Sequence, residues 1–315
     1  MKKIFIALAA LATIAACNKA EVVEAPQGDA IAFGDAFVDN STKAIYNEAN
    51  DIQGFKVWGN VDGTNTTPVA LYPDAGADVT RGTAGLGAAW TCSVARYWTP
   101  SASYNFTAIA NGTGTDLVNG IPTKISYSIN STDPADLIYG TTTAATDASA
   151  VPTSGVTNSV VTFTMQHLLS RLQVAFQNSL SAGYTYDISN VKVSTWEDGV
   201  FTISGSKWER NGTDVSELSY AGLSGLANGT TTAASGAHLV IPGSEIKLSF
   251  DYVLKLGGTE IYSTSVTDKT VTLTSVKGNS YTINVQLKAG NEITFSVAET
   301  NGLGEWTNAD PSVIF

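Results

Sequence analysis

Apolar and polar residues alternate with a period of two through most of the chain. Such alternation is typical of β-strands that turn one face to a core and the other to water. In the first of these runs Lys56, Trp58 and Asn60 fall on the polar side. The apolar positions are Phe55, Val57 and Val61; Ile125, Tyr127 and Ile129; Leu172, Val174 and Phe176; Ile246, Leu248, Phe250 and Tyr252; and Tyr281, Ile283, Val285 and Leu287.

Turn-forming dipeptides separate the apolar runs. Asn111-Gly112, Asp198-Gly199 and Asn301-Gly302 are examples, and such pairs tolerate the positive φ angles of tight hairpins. Helical spacing persists nowhere for more than two turns, and the best short helical segment is QHLLSRL at 166–172. The pattern therefore predicts an all-β chain of about 12 to 15 strands, which is too many for one ordinary sandwich.

Two segments are rich in Thr, Ala, Ser and Gly, namely Gly140 to Ser159 and Ala221 to Ala237. They offer little to bury, so we expect long surface loops there. The first loop leads into an apolar region, where a boundary near Met165 to Leu168 divides the chain evenly. We therefore predict one β-sandwich domain over residues 29–166 and a second over residues 167–315.

The first residues have the layout of an export signal. Lys2 and Lys3 precede 13 apolar or small residues, a run too short to cross a bilayer. That run ends in Ile14-Ala15-Ala16-Cys17, which resembles the lipobox of bacterial lipoproteins. We predict a signal peptide over 1–16, acylation (palmitate) of Cys17 and a polar tether over 17–28; an ordinary signal peptide is the alternative.

Charge and cysteine content narrow the function further. The 28 acidic residues exceed the 17 basic ones, for a formal charge of −11. We therefore expect no nucleic-acid partner, because phosphate binding needs clustered Lys and Arg. Cys92 is the only cysteine besides Cys17, so acylation of Cys17 leaves no intramolecular disulfide.

Catalytic and metal-binding patterns are missing from the sequence. His167 and His238 are the only histidines, and each stands among apolar neighbours, which favours structural roles. Carboxylates stand mostly beside turn residues, where capping and solvation explain them. We therefore predict a protein that is not an enzyme and has no catalytic residues, cofactor or metal.

Tryptophan could provide a different kind of site, because exposed indole rings stack on sugars. The six tryptophans are scattered and stand in or beside predicted strands, which favours packing over a glycan platform. A surface lipoprotein that binds glycans nevertheless stays the alternative function. The tryptophans are Trp58, Trp90, Trp98, Trp196, Trp208 and Trp306.

Three segments in order, together with the lipobox, resemble the fimbrillin family of Bacteroidetes. They are VTFTMQHLLSRLQVAFQN, HLVIPGSEIKLSF and VKGNSYTINVQL, and Trp98 to Phe106 adds a fourth weak motif. The resemblance implies two transthyretin-like β-sandwich domains in tandem. It also implies a non-enzymatic lipoprotein of the cell outer membrane that is a subunit or accessory component of fimbriae and acts in adhesion. Its partners would be other fimbrial subunits, the membrane and surface ligands of host or bacterial cells.

The resemblance also implies assembly by β-strand exchange after proteolysis. The first strand would be Ala30 to Val38, and the basic residue in the loop after it is Lys43, where the family has an Arg. Arg81 is the next basic residue in a predicted open loop, but cutting there would also remove a core strand. The donor strand would lie within Glu292 to Phe315, unless the apolar end of that segment completes the chain's own second domain.

Overall fold

The computed structural model describes residues 29–38, 52–63, 67–82, 90–131, 135–157, 160–234 and 236–300. These ranges contain 24 strands and one short 3-10 helix, Ala289–Asn291. The all-β prediction is therefore confirmed, with more strands than expected. The first twelve are β1 (Ala32–Val38), β2 (Gly54–Asp62), β3 (Val69–Ala70), β4 (Ala77–Arg81), β5 (Trp90–Cys92), β6 (Ser103–Ala110), β7 (Thr113–Val118), β8 (Ile121–Ser128), β9 (Ile138–Thr146), β10 (Pro152–Ser154), β11 (Val156–Thr157) and β12 (Val160–His167). The others are β13 (Ser170–Asn178), β14 (Tyr184–Trp196), β15 (Asp198–Thr202), β16 (Lys207–Arg210), β17 (Val215–Tyr220), β18 (Leu223–Ala227), β19 (Thr231–Ala233), β20 (His238–Val240), β21 (Ile246–Leu256), β22 (Thr259–Val271), β23 (Ser280–Leu287) and β24 (Ile293–Thr300).

A ten-stranded sheet is built from the first half of the chain. Its strand order is β1-β12-β9-β6-β2-β4-β5, and the short strands β10, β11 and β3 pair at its side. All its strand pairs are antiparallel except β1 with β12, which run parallel. Aromatic rings fill its core, where Trp98 and Tyr104 pack edge to face with centroids 4.8 Å apart.

Two further sheets face each other in the second half. One has the order β19-β13-β23-β24, with β20 beside β13, and the other has the order β17-β14-β21-β22, with β18 beside β14. Their inward side chains share one apolar cluster, in which the rings of Phe176 and Phe250 lie 5.0 Å apart. This arrangement is a β-sandwich, and the alternating positions predicted in β13, β21 and β23 are buried as expected.

A small fourth sheet joins strands from both halves. Its order is β16-β15-β8-β7. The hairpin of β7 and β8 comes before the connection from β12 to β13 in the chain, and the hairpin of β15 and β16 comes after it. At that crossing Leu168 and Leu169 are fully buried, and the indole N–H of Trp208 donates a hydrogen bond of 2.8 Å to the Leu168 carbonyl. The chain therefore changes sheets inside a packed region rather than through an open linker.

Three local predictions were wrong. The segment 166–172 is not helical, because Gln166 and His167 end β12 and Ser170 begins β13. Both expected surface loops contain strands: most of β9, together with β10 and β11, lies in the first, and β18 and β19 lie in the second. Threonine-rich sequence has high β propensity, and short edge strands need few apolar residues.

In the described residues no helix is long and apolar enough to span a bilayer.

β2 also differs from the expected strand with one wet face. Phe55 and Val57 are buried as predicted, but Trp58 on the opposite face is fully buried too. The hairpin of β7 and β8 covers that face, since a Cβ added to Gly114 would lie 3.0 Å from the Trp58 ring. The Trp58 N–H donates to the Asp74 carbonyl at 2.9 Å, so its polar atom is satisfied.

Candidate functional site

The first strand lies in a groove with backbone partners on both sides. On one side β1 pairs in parallel with β12, with Ala32 opposite Val160 and Phe33 opposite Val161. On the other side the Ile31 N–H donates to the Arg96 carbonyl at 2.7 Å, and the Trp98 N–H donates to the Asp29 carbonyl at 3.0 Å. Removing the strand would therefore leave unpaired donors and acceptors on both walls.

The inward side chains of this segment are deeply buried. Ile31 is 5% exposed and Phe33 is 4% exposed, whereas Ala32 between them points to solvent. The Phe33 ring packs against the rings of Phe55, Phe106 and Phe163, with centroids 6.4, 5.9 and 6.1 Å apart. Its burial therefore depends on three different strands, and the groove without β1 would be an aromatic-lined slot.

The next position in the groove has room for little more than hydrogen. A Cβ added to Gly34 would lie 2.9 Å from Cγ2 of Val160 and 3.6 Å from Cγ2 of Thr162. Both neighbours belong to β12 and are branched at Cβ, so their rotation is restricted. The groove therefore holds bulky inward side chains at positions 31 and 33, and it leaves room only for a small residue at position 34.

Of the predicted processing and lipid sites, Arg81 alone falls within the described residues. Cys17 and Lys43 lie outside the described residues. Arg81 ends β4, is 8% exposed, and its guanidinium lies 5.6 Å from the centre of the Trp90 ring. Its backbone N–H also donates to the Gln53 carbonyl at 3.0 Å, so Arg81 does not occupy the open loop that its sequence neighbours predicted.

The last described strand belongs to the predicted donor segment. β24 is the edge of its sheet and pairs antiparallel with β23 along its whole length. Ile293, Phe295 and Val297 pack on the apolar cluster but are only partly buried. Residues 301–315, including Trp306 and the apolar end of the segment, lie outside the described residues.

Both histidines are packed and hydrogen bonded, as the sequence predicted. The imidazole of His167 pairs with the Asp136 carboxylate, and both residues are buried. Nε2 of His238 lies 2.9 Å from the Ser219 carbonyl, and the ring packs edge to face on Tyr220. Within the described part of the chain, no group of three or more His, Cys, Asp or Glu could hold a metal ion.

Two reactive side chains near the groove are made less acidic by their surroundings. Burial raises the pKa of the Tyr72 hydroxyl, whose ring lies 6.4 Å from that of Phe33. Burial also raises the pKa of Cys92, a half-buried thiol that donates to the Val94 carbonyl at 3.3 Å. The thiolate, which is the reactive form of cysteine, is therefore disfavoured at Cys92.

Tryptophans provide no sugar-stacking platform in the described part of the chain. Trp58, Trp98 and Trp208 are buried, and Trp90 and Trp196 are half-buried. The exposed large apolar side chains are instead scattered over several strands and loops, with Ile261 and Tyr262 as neighbours on β22. Packing therefore explains the described indole rings, as the sequence favoured.

The sequence identified the first strand but not what surrounds it. The family resemblance placed the first strand at Ala30 to Val38, whereas the pairing with β12 and with residues 96–98 joins positions far apart in the chain. The small-residue requirement at Gly34 was also missed. Glycine inside a strand often marks close approach of a neighbouring element, and that signal was present in the sequence.

These stacked sheets define a β-sandwich protein. A profile of the fimbrillin-like family matches residues 42–301, and the chain belongs to that family. No curated protein shows a significant match.

One solved structure extends the likeness to the fold. A fimbrial protein from Bacteroides vulgatus is 16% identical with a TM-score of 0.60, over 87% of this chain and 99% of that one. Two others resemble the chain more distantly. The fimbrial anchor protein Mfa2 from Porphyromonas gingivalis is 8% identical with a TM-score of 0.40, over 88% of this chain and 98% of that one. The tip fimbrial protein Mfa3 from the same organism is 8% identical with a TM-score of 0.34, over 86% and 97%.

Proposed function

We propose that this chain is a non-enzymatic fimbrial subunit that assembles by exchanging its first strand for a strand of a neighbouring subunit. The observation that carries the proposal is the groove that holds the first strand. Ile31 and Phe33 are almost fully buried there, between β12 and residues 96–98. Without its first strand, the groove would expose aromatic rings to water and would leave backbone groups unpaired. A strand from another subunit would cover both at once.

Cleavage in the loop after β1 would release the strand, and Lys43 is the site we propose. A protease needs an accessible, extended backbone, which a paired and buried residue such as Arg81 does not offer. Cutting at Arg81 would also remove β2 and with it the buried Phe55 and Trp58. Lys43 therefore remains the better of the two predicted sites.

Brief digestion of residues 18–315 with a trypsin-like protease tests the proposal. The expected result is a new N-terminus at Ala44, followed by growth of oligomers that heat dissociates, read by N-terminal sequencing and light scattering. The variant Lys43→Gln is the matched control and should stay monomeric. Cleavage after Lys43 without any oligomer would contradict strand exchange.

We further propose that Cys17 carries the acyl chains that hold the subunit in the outer membrane. The motif Ile14-Ala15-Ala16-Cys17 supports this, and two or more chains are enough for stable anchoring. Cys17→Ala should abolish incorporation of a fatty-acid analogue. Cys92→Ala should leave incorporation unchanged, and equal labelling of both variants would reject the lipid site.

The domain division is also a proposal, with one domain over 29–166 and the other over 167–315. The crossing from β12 to β13, where the chain leaves the ten-stranded sheet, supports that boundary. Limited proteolysis would test it through the fragments that stay folded.

Adhesion to other fimbrial subunits and to surface ligands completes the proposed role, and no described feature favours glycan binding instead.

A further inference from the structure

We infer that two copies of this chain form a weak two-fold dimer in which their β22 strands pair antiparallel about Thr264. The inference assigns an interaction surface to β22 (Thr259–Val271) and names a second copy of the chain as the partner. It is independent of the strand exchange proposed above, because it concerns another part of the molecule and needs no cleavage.

β22 is the longest edge strand in the described part of the chain. It has 13 residues and ends the sheet β17-β14-β21-β22, so β21 is its only partner among the described strands. From Thr259 to Thr270 every side chain is exposed except Thr264 and Val266, which are half-buried. The backbone groups on the outer side of β22 therefore pair with no described strand, and such a row is a template for a strand from another chain.

Charges and bulges protect only the ends of this strand. The pairing with β21 is irregular between Glu260 and Tyr262 and again between Val266 and Lys269. Residues 261–267, with the sequence IYSTSVT, contain no charge, proline or glycine and are rich in residues that favour β structure. Edge strands in natural proteins are commonly blunted by charges and bulges, so the middle of β22 stays open to pairing while its ends limit the length of the ladder.

The side chains in the open segment favour pairing with a second copy. Directly opposite residues of an antiparallel pair point to the same face. A two-fold axis through Thr264 therefore places Tyr262 opposite Val266 on the face that β22 turns towards the core. Ser263 then lies opposite Ser265 on the other face. Every opposed pair is uncharged, and an aromatic side chain meets a β-branched one twice.

The two bulges also fix the position of the axis. Between them the pairing of β22 is regular over the five residues from Tyr262 to Val266, and Thr264 is the middle one. An axis through Ser263 or Ser265 would set a bulge of one copy against the ladder of the other and leave only about three regular pairs. The axis at Thr264 therefore gives the longest regular ladder.

Tyr262 gains a neighbour that it lacks in the single chain. Its ring packs on the ring of Tyr252 with centroids 6.1 Å apart, yet the residue stays 38% exposed. In the dimer the partner copy's strand would cover part of this exposed surface, with Val266 opposite Tyr262. The contact would remove apolar surface from water in addition to pairing backbone groups.

Such a dimer is closed and weak. A two-fold contact uses β22 of each copy once, so it ends at two chains instead of growing into a fibre. A ladder of this length buries much less than the roughly 1,000 Å² of a stable interface, so we expect a dissociation constant of about 0.1 to 1 mM. At the micromolar concentrations that suffice to follow cleavage, the uncleaved chain stays monomeric. In fimbriae of the proposed kind, many such contacts would act together.

Sedimentation equilibrium of uncleaved residues 18–315 tests the inference, under reducing conditions so that Cys92 forms no bridge. The wild-type chain should pass from monomer towards dimer between about 10 μM and 1 mM. Thr264→Lys puts two like charges opposite each other at the axis and should weaken the dimer about tenfold or more. Thr270→Lys adds the same charge to β22 outside the regular ladder and, as the matched control, should change the affinity less than about threefold.

A mixing experiment tests the axis itself. Thr264→Glu alone should weaken the dimer as Thr264→Lys does, whereas an equimolar mixture of the two variants should pair again. Opposite charges then meet at the axis, which is expected only if position 264 faces itself. Thermal unfolding at micromolar concentration should show that each variant keeps the wild-type stability.

The outcomes separate this inference from the proposed function. A wild-type chain that stays monomeric throughout the range would overturn the dimer and leave strand exchange untouched. A dimer that survives Thr264→Lys would also overturn the inference, because another surface would then hold the copies together. Equal weakening by Thr264→Lys and Thr270→Lys, or a mixture that fails to pair, would overturn the axis at Thr264. Failure of the cleaved chain to form oligomers would contradict strand exchange alone.

Discussion

β1 and β24 are both edge strands that pack a phenylalanine against a core, but their surroundings differ. β1 pairs with β12, the residues just before it (29–31) bond to residues 96–98, and its Phe33 is 4% exposed among aromatic rings. β24 is paired on one side only, and its Phe295 is partly buried. The comparison teaches that the side chains and backbone segments packed around an edge strand, and not its place in the sheet, decide how firmly it is held.

The largest difference between the two strands should appear when each phenylalanine is truncated. Phe33→Ala leaves a cavity among three rings and should lower the free energy of unfolding of the uncleaved chain by about 3 to 5 kcal/mol. Phe295→Ala removes a partly buried ring and should cost about 1 to 2 kcal/mol. Urea unfolding of both variants measures the two losses, and equal losses would refute the idea that the surroundings of each phenylalanine set its contribution.

A smaller difference should follow from adding volume after each phenylalanine. Gly34→Val meets the Val160 methyl group and should cost about 1 to 3 kcal/mol. Ser296→Val adds the same groups to an exposed edge position and should change stability by less than about 0.5 kcal/mol. If Gly34→Val were as harmless as Ser296→Val, the groove would be wider than the β1 to β12 pairing indicates.

The sequence predicted the fold where burial follows a local pattern. The alternating residues of β13, β21 and β23 are buried, because each of these strands turns one face to a shared core. Trp58 was assigned to the wet side of β2, yet a hairpin from elsewhere in the chain covers it. Coverage of a second face depends on tertiary packing, which a period of two does not encode.

The site was predictable to a similar extent. The first strand could be placed through the family resemblance, while the groove wall formed by residues 96–98 could not, because it joins two irregular segments by a few backbone bonds. For Arg81 the sequence predicted exposure, and the structure shows burial. Its glycine- and threonine-rich neighbours suggested an open loop, but the pairing of β4 with β5 and the contact of its guanidinium with the Trp90 ring bury it.

The smallest expected effect concerns charge in the sandwich that holds β24. Asp187 is paired with Lys255 and accepts a hydrogen bond of 2.8 Å from the Gly225 N–H, and both contacts lower its pKa from the ordinary value of 3.8. A carboxylate whose pKa is lower in the folded state stabilises the fold above the unfolded pKa, and this stabilisation is lost as the pH falls through the folded pKa.

Asp187→Asn should therefore cost about 0.5 to 1 kcal/mol at pH 7 and progressively less in acid, since the wild-type carboxylate loses its charge there. Urea unfolding from pH 7 down through the acidic range measures this convergence. Glu217→Gln, which removes the acidic partner of a more exposed pair with Lys192, is the matched control and should cost less. A constant difference between Asp187→Asn and wild type at every pH would show that shape, and not charge, holds Asp187 in place.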